Sequence, residues 1–201
     1  MGLTTPVLAA GLQRIADHME AVADRLNELD GQLGDGDLGV TMVRGGRELS
    51  KILPTLSADL GPALMACAQA FTRVSGSSYG TLLATGLLSA AKAAKGRAEV
   101  PWSELPALLR GAQEAMMARG KASLGDKTLL DTLDAAWRAA DGLDAPGPML
   151  DAAAAAVDAT LERMRALPAR VGRARIFADR SVGLDDPGQV AFREILLGLQ
   201  G

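Results

Sequence analysis

Apolar residues recur at spacings of three and four along most of this chain, which is the pattern of amphipathic helices. The first such run includes Leu12, Ile15, Met19, Val22 and Leu26, so one face of a long helix is apolar. No segment alternates apolar and polar residues as a half-buried strand does. The chain therefore has an all-α pattern, and its periodicity predicts eight helices at about 5–29, 40–53, 60–74, 81–94, 103–119, 126–140, 149–167 and 187–199.

The loops between these helices divide into two alternating sets. Successive helices joined by short loops usually run antiparallel, so every second loop lies at the same end of a bundle. Most of the non-helical Gly, Asp, Ser and Arg residues fall in one set, at 30–39, 75–80, 120–126 and 172–188. We therefore expect one helical domain over residues 1–201 whose polar loops meet at one end.

Composition excludes several classes of protein. The chain has 201 residues, 48% of them hydrophobic but only 3% aromatic, so a substantial core of Ala, Leu, Val and Met is predicted. A net charge of −3 argues against binding nucleic acid or an anionic membrane. Cys67 is the only cysteine, which excludes an internal disulfide. With no signal-peptide pattern and no apolar run of membrane-spanning length, we expect a cytoplasmic protein.

The segment 29–42 carries the most distinctive chemistry. Asp30, Asp35 and Asp37 lie within eight residues, interleaved with glycines and followed by a predicted helix. Mg²⁺ takes hard oxygen ligands, and the amides at a helix start favour anions. Two interpretations stay open: the aspartates bind a metal ion beside phosphates, or they are turn and cap residues that hydrogen-bond locally. The working hypothesis is a metal–nucleotide site.

The other three loops at that end also hold polar candidates, each with a plainer alternative. Ser77 and Ser78 either donate hydrogen bonds to phosphate or only cap a helix. Asp126 and Lys127 either orient a metal ligand or a phosphate, or Asp126 is only the N-cap of its helix. A basic segment suits phosphate, an acidic partner or plain solvation, and Arg173 is the member we favour for a ligand. This segment has six arginines within 18 residues: Arg163, Arg165, Arg170, Arg173, Arg175 and Arg180.

Four separated segments resemble the L subunit of bacterial dihydroxyacetone kinase, equivalent to the C-terminal nucleotide-binding domain of the single-chain ATP-dependent kinases. They are residues 29–39, 76–85, 120–131 and 172–188, which occur in the family's order and at its spacing. The resemblance implies an eight-helix antiparallel barrel that binds Mg-ADP or Mg-ATP in loops at one end.

The resemblance also implies the residues of the site. Asp30, Asp35 and Asp37 match the ligands of two Mg²⁺ ions that bridge the phosphates. Further positions match the family's nucleotide contacts through backbone or side chain, including part of the adenine pocket. These positions are Leu38, Gly39, Val40, Thr41, Ser78, Tyr79, Gly120, Leu129, Arg173, Asp186, Pro187 and Gly188.

In this family a separate K subunit or domain holds dihydroxyacetone covalently on a histidine. This chain has no comparable histidine, so the resemblance implies a kinase subunit that needs a K partner to transfer phosphoryl to a hydroxyketone. In one version of the enzyme, a phosphohistidine on an M subunit of the phosphotransferase system rephosphorylates the bound ADP; in the other, ATP exchanges. The ketose, the donor and whether the chain forms a homodimer are left open.

Three departures from the family pattern, in two loops, support an alternative. Leu38 stands where the family has histidine, Tyr79 where it has serine, and Ala84 where it has glycine. Loss of a polar side chain beside the phosphates weakens the case for transfer. The alternative is a divergent, non-catalytic nucleotide-binding or regulatory module.

Overall fold

Eight α-helices account for most of the residues that the computed structural model describes, which are 2–74 and 76–200. The helices are α1 Thr5–Leu33, α2 Leu38–Ile52, α3 Leu60–Val74, α4 Ser78–Ala93, α5 Leu105–Gly120, α6 Leu129–Ala140, α7 Pro146–Arg165 and α8 Pro187–Gln200. Three short 3-10 helices lie at Leu53–Thr55, Trp102–Glu104 and Ala174–Ser181. The all-α prediction is confirmed.

The helices form a closed antiparallel ring. Each packs against the next in sequence, and α8 returns to pack against α1. The loops at 34–37, 76–77, 121–128 and 166–186 lie at one end, which we call the pocket end. The predicted eight-helix antiparallel barrel is therefore observed, and the polar loops do meet. Ser75, part of the predicted second loop, lies outside the described residues.

The opposite end carries a feature that the periodicity did not predict. Strands β1 Gly2–Thr4 and β2 Glu99–Pro101 pair antiparallel, with Leu3 opposite Val100. Val100 is fully buried in a small cluster with Leu60 and Leu64 of α3. Strands of three residues are too short to show an alternating pattern, so the ladder follows from burial of Val100 rather than from local propensity.

The core fills the inside of the ring. Met19 and Leu26 of α1 face Phe71 of α3, Val157 of α7 and Ala191 of α8, all of them buried. Ala, Leu, Val and Met supply most of this core, as the composition predicted. Within the described part of the chain, no helix is long and apolar enough to cross a membrane.

Two helix boundaries differ from the periodicity for identifiable reasons. Helix α1 continues to Leu33 rather than ending near residue 29, because Leu33 is buried against Ala169 and Ala174 and this packing offsets the poor helix propensity of Gly31. Helix α4 begins at Ser78, three residues early, because the Ser77 side chain accepts a hydrogen bond from the Gly80 amide.

The start of α6 also differs. Thr128 is its N-cap, and Asp131 completes a capping box by accepting from the Thr128 amide at 2.8 Å. The alternative in which Asp126 caps this helix is wrong. The Asp126 carboxylate instead accepts from the Ser123 amide at 2.7 Å and stabilises the loop before the cap.

Candidate functional site

A pocket of about 510 Å³ opens at the pocket end of the ring, a volume typical of small-molecule sites. All four loops at this end contribute to its wall. Thirteen of the residues singled out from the sequence line it: Asp30, Asp35, Asp37, Leu38, Ser77, Ser78, Tyr79, Gly120, Leu129, Arg173, Asp186, Pro187 and Gly188.

The three aspartates converge at one side of this pocket. One carboxylate oxygen from each of Asp30, Asp35 and Asp37 lies within 4.8 Å of the others. Asp30, near the end of α1, also accepts from the Asp37 amide at 3.0 Å, so one residue both shapes the turn and joins the cluster. Three like charges this close repel each other unless a cation neutralises them. This donor set of hard oxygens fits Mg²⁺.

Arg173 is the basic-segment residue that reaches the cluster. Its guanidinium pairs with the Asp35 carboxylate. Arg165, by contrast, is held by Asp185 at 2.7 Å and by Glu162, away from the pocket. The favoured arginine therefore lies in the pocket wall, whereas the other five arginines of the segment do not line it.

The start of α2 places only part of the expected backbone at the pocket. Leu38 lines the wall, but Gly39, Val40 and Thr41 do not. The Val40 amide donates to Asn27 Oδ1 at 3.2 Å, and a Cβ on Gly39 would lie 2.0 Å from the Ala23 carbonyl oxygen. Gly39 thus permits close packing of α2 on α1, and the predicted phosphate contacts of these three residues stay predictions.

Part of the pocket wall is apolar. Tyr79, Leu82 and Leu129 line it beside Gly120, and the Tyr79 ring lies about 3.3 Å from where a Cβ on Gly188 would be. Burial raises the pKa of Tyr79, so its phenol is neutral. Its hydroxyl has no hydrogen-bond partner among the described residues. Such a wall suits the flat face of a heterocyclic base.

Sequence reasoning did not single out every lining residue, and Leu82, Arg119 and Leu130 are examples. Leu82 lies one helical turn after Tyr79, so the i, i+3 spacing could have placed both on the same face of α4. Arg119 precedes Gly120 in the last turn of α5, and Leu130 follows Leu129. For Arg119 and Leu130 no signal beyond adjacency to a candidate was available.

Charged groups also lie beneath the pocket. Burial raises the pKa of Asp186 to about 7, although the Gln189 amide, which donates to it at 2.9 Å, and the Lys127 charge oppose that shift. Burial likewise lowers the pKa of Lys127. Lys127 does not line the pocket: its Nζ donates to the carbonyl oxygens of Leu167 and Ser181, at 2.8 Å each. Lys127 therefore faces the base of a loop rather than a ligand.

Comparison with known proteins identifies the family. The model described as the DAK2 domain matches residues 32–201. The chain belongs to the DAK2 domain family. This DAK2 chain is 29% identical over 193 residues to the ADP-binding subunit DhaL of the PEP-dependent dihydroxyacetone kinase of Escherichia coli, covering 94% of the chain and 92% of that subunit.

Longer relatives contain the same region. The DAK2 chain is 34% identical over 215 residues to the triokinase/FMN cyclase of Mus musculus, covering 99% of the chain but 36% of that relative. The structure of the dihydroxyacetone kinase from C. freundii in complex with AMP-PNP and Mg²⁺ superposes with a TM-score of 0.76 and 25% identity, over 99% of the chain and 34% of that protein. The DAK2 chain thus spans about a third of the length of these two proteins.

Proposed function

We propose that this chain is the nucleotide-binding subunit of a dihydroxyacetone or short-ketose kinase, and that residues 1–201 form one such domain. One observation carries the proposal: three carboxylates, a helix start and an apolar wall converge on one pocket built from four loops. The E. coli relative is named for ADP binding, and the C. freundii kinase binds AMP-PNP and Mg²⁺, which supports the same ligands here.

The pocket divides the nucleotide between two walls. Asp30, Asp35 and Asp37 hold Mg²⁺, two ions in the proposal, which when bound neutralises phosphate charge and stabilises the transferring phosphoryl group. The Leu38 amide at the start of α2 and the Arg173 guanidinium orient the phosphates. The remaining proposed contacts to the nucleotide are Gly39, Val40, Thr41, Ser78, Tyr79, Gly120, Leu129, Asp186, Pro187 and Gly188.

The ketose is assigned to a partner. The single histidine, His18, lies on α1 and is paired with Glu194 of α8 at 2.8 Å. It does not line the pocket. The pocket therefore offers no imidazole to hold a carbonyl substrate covalently. We assign dihydroxyacetone to a K subunit in the cytoplasm, with either exchanging ATP or a phosphohistidine-bearing M subunit as phosphoryl donor.

Calorimetric titration of the purified chain with ADP and ATP, with and without Mg²⁺, tests the nucleotide site. We expect Mg²⁺-dependent binding at one site. Addition of a dihydroxyacetone-loaded K subunit and labelled ATP should then yield labelled dihydroxyacetone phosphate. Absence of nucleotide binding would overturn the proposal.

A regulatory module is the second candidate, and one observation favours it. Leu38 is only 5% exposed and lines the pocket where the family has histidine, so this position offers no polar side chain to the phosphates. Under this alternative, nucleotide binds but no phosphoryl is transferred with the K subunit present. The variant Leu38→His tests the cause, because a gain of transfer would assign the defect to that position.

A further inference from the structure

The segment 168–181 projects between α7 and α8 and carries part of the pocket wall. Residues 171–174, which include Arg173, line the pocket from this segment. Most of the segment is exposed, and its 3-10 helix contains Ala178 at φ 39°. Packing holds the segment at Ala169 and Ala174, which are buried against Leu33 of α1, and the position of its exposed part depends on how its two ends are fixed.

One buried ammonium group joins both ends, beside a backbone hydrogen bond from the Gly183 amide to the Arg165 carbonyl oxygen at 2.8 Å. Lys127 Nζ donates at 2.8 Å to the carbonyl oxygen of Leu167, just before the segment, and at 2.8 Å to that of Ser181, its last residue. Only 1% of Lys127 is exposed. One side chain thus joins two backbone positions that are fourteen residues apart (167 to 181).

Neighbouring hydrogen bonds complete this closure. The Ala169 amide donates to Ser181 Oγ at 2.8 Å, and the Arg170 amide donates to the Asp126 carbonyl oxygen at 3.1 Å. Two adjacent residues therefore contact both ends of the segment. The Asp126 carbonyl oxygen accepts from Arg170 near its start, and Lys127 Nζ donates to Ser181 at its end. We call this group of contacts the 127 clamp: Lys127 with its acceptors Leu167 and Ser181, and the Arg170 bond to Asp126.

The local conformation of Lys127 shows that the clamp is not a by-product of helix capping. Lys127 has φ 62°, in the left-handed region that a β-carbon disfavours. Thr128, not Lys127, caps α6. Burial disfavours the ammonium, and the charges of Asp186 and Asp185 only partly compensate. Such local costs persist where surrounding contacts over-determine a residue, often at a ligand site.

We propose that Lys127 is a positioning residue that closes segment 168–181 and thereby holds Arg173 over the pocket. The proposal rests on the proposed function, since Arg173 is taken to orient phosphates. Lys127 itself touches no ligand. Its whole effect on nucleotide binding passes through the segment that it clamps.

The variant Lys127→Met retains length and removes the donors. In the absence of nucleotide, limited trypsin digestion should cleave after Arg170, Arg173, Arg175 or Arg180 at least roughly tenfold faster than in the wild type, because the segment opens. Glu194→Gln is the control, since it disturbs a buried ion pair on α8 away from the pocket. Equal cleavage rates in Lys127→Met and the wild type would overturn the clamp, and this readout does not require nucleotide binding.

A double-mutant cycle with Arg173→Gln tests the positioning role. We expect each single variant to weaken Mg-ADP binding roughly tenfold and the double variant to be no weaker than the weaker single, because both act through one contact. A purely structural lysine would leave affinity unchanged or give multiplicative losses, and either result would overturn the proposal. Ser181→Ala removes the hydrogen bonds of Ser181 Oγ with the Ala169 amide and the Ala178 carbonyl oxygen but keeps the carbonyl that accepts from Lys127. It provides a milder variant with the same expected direction if Lys127→Met does not fold.

These measurements separate two failures. A wild-type chain that binds no Mg-ADP contradicts the proposed function, while trypsin still decides whether the clamp exists. If the wild type binds Mg-ADP and the losses of affinity from Lys127→Met and Arg173→Gln multiply, only the positioning role of Lys127 is contradicted.

Discussion

The two ends of the helix ring are built from different kinds of turn. At the end opposite the pocket, the residues with positive φ are glycines, Gly96 at 80° and Gly142 at 82°, and Asp59 accepts from the Gly61 and Gly96 amides. At the pocket end, three residues other than glycine have positive φ within the described chain: Lys121, Lys127 and Ala178.

Charge follows the same division. Lys127, Asp131 and Asp186 have pKa values shifted by burial, and all three lie at the pocket end. The opposite end instead shows an exposed ion pair between Arg97 and Glu104 at 2.7 Å. The turns at the end opposite the pocket therefore use residues that suit their backbone conformation. The pocket end retains backbone strain and buried charge, as ligand sites commonly do.

The largest expected effect is a loss of Mg-ADP affinity at the pocket end without a matching loss of stability. Asp35→Asn should weaken Mg-ADP binding more than about a hundredfold, because it removes a charged ligand from the cluster. Stability should change little, since the substitution removes a like-charge repulsion together with the exposed ion pair to Arg173. Titration calorimetry and thermal unfolding by circular dichroism measure the two effects.

Two other aspartates complete this test. Asp24→Asn, an exposed change on α1, should alter neither quantity. Asp59→Ala at the opposite end should lower the free energy of unfolding by about 1 kcal/mol, through loss of its cap, and leave affinity unchanged. Undiminished Mg-ADP affinity in Asp35→Asn would remove Asp35 from the site.

The next effect is a pH dependence confined to the pocket end. The pKa of Asp186 is raised to about 7 by burial, so the folded state holds a proton that the unfolded state releases near pH 4. The stabilisation is present at low pH and is lost as the pH rises through about 7. Asp186→Asn, which cannot ionise, should therefore exceed the wild type in stability at pH 8 by on the order of 2 kcal/mol.

Urea unfolding at pH 5 and pH 8 checks this prediction. The difference between Asp186→Asn and the wild type should shrink at pH 5, where most of the wild-type carboxyl is protonated. A constant difference at both values would show that Asp186 does not titrate in this range.

The smallest effect is a reciprocal pair of turn substitutions. Lys121→Gly should raise the free energy of unfolding by about 0.5–1 kcal/mol, because glycine adopts the φ of 50° at the end of α5 without a β-carbon. Gly142→Ala at the opposite end should lower it by about 1 kcal/mol, since alanine is strained at φ 82°. Chemical denaturation measures both, and the same sign for the two would contradict the contrast between the ends.

Much of this architecture follows from local pattern. The bounds of α3, Leu60–Val74, agree with the periodicity, because its apolar face is continuous and Gly61 and Pro62 lie in its first turn. The meeting of the four loops follows from antiparallel succession alone. The aspartate cluster was also predictable, since its three members lie within eight residues of one another.

The remaining features depend on contacts distant in sequence. Nothing in the segment 125–128 shows that Lys127 is buried, because its acceptors are 40 and 54 residues away. The β1–β2 ladder joins segments nearly a hundred residues apart, Leu3 with Val100. The Tyr79 ring likewise lies close to Gly188, which is in the first turn of α8 and more than a hundred residues away in sequence.

Closure of α8 onto α1 also determines how the ring can be joined to other protein. The Arg14 guanidinium donates to the Leu199 carbonyl oxygen, so the start of α1 and the end of α8 are neighbours at the end away from the pocket. A domain fused at either terminus would leave the mouth of the pocket open. A circular permutant that links these termini and opens the 141–145 turn should retain the same ring and the same access to the pocket.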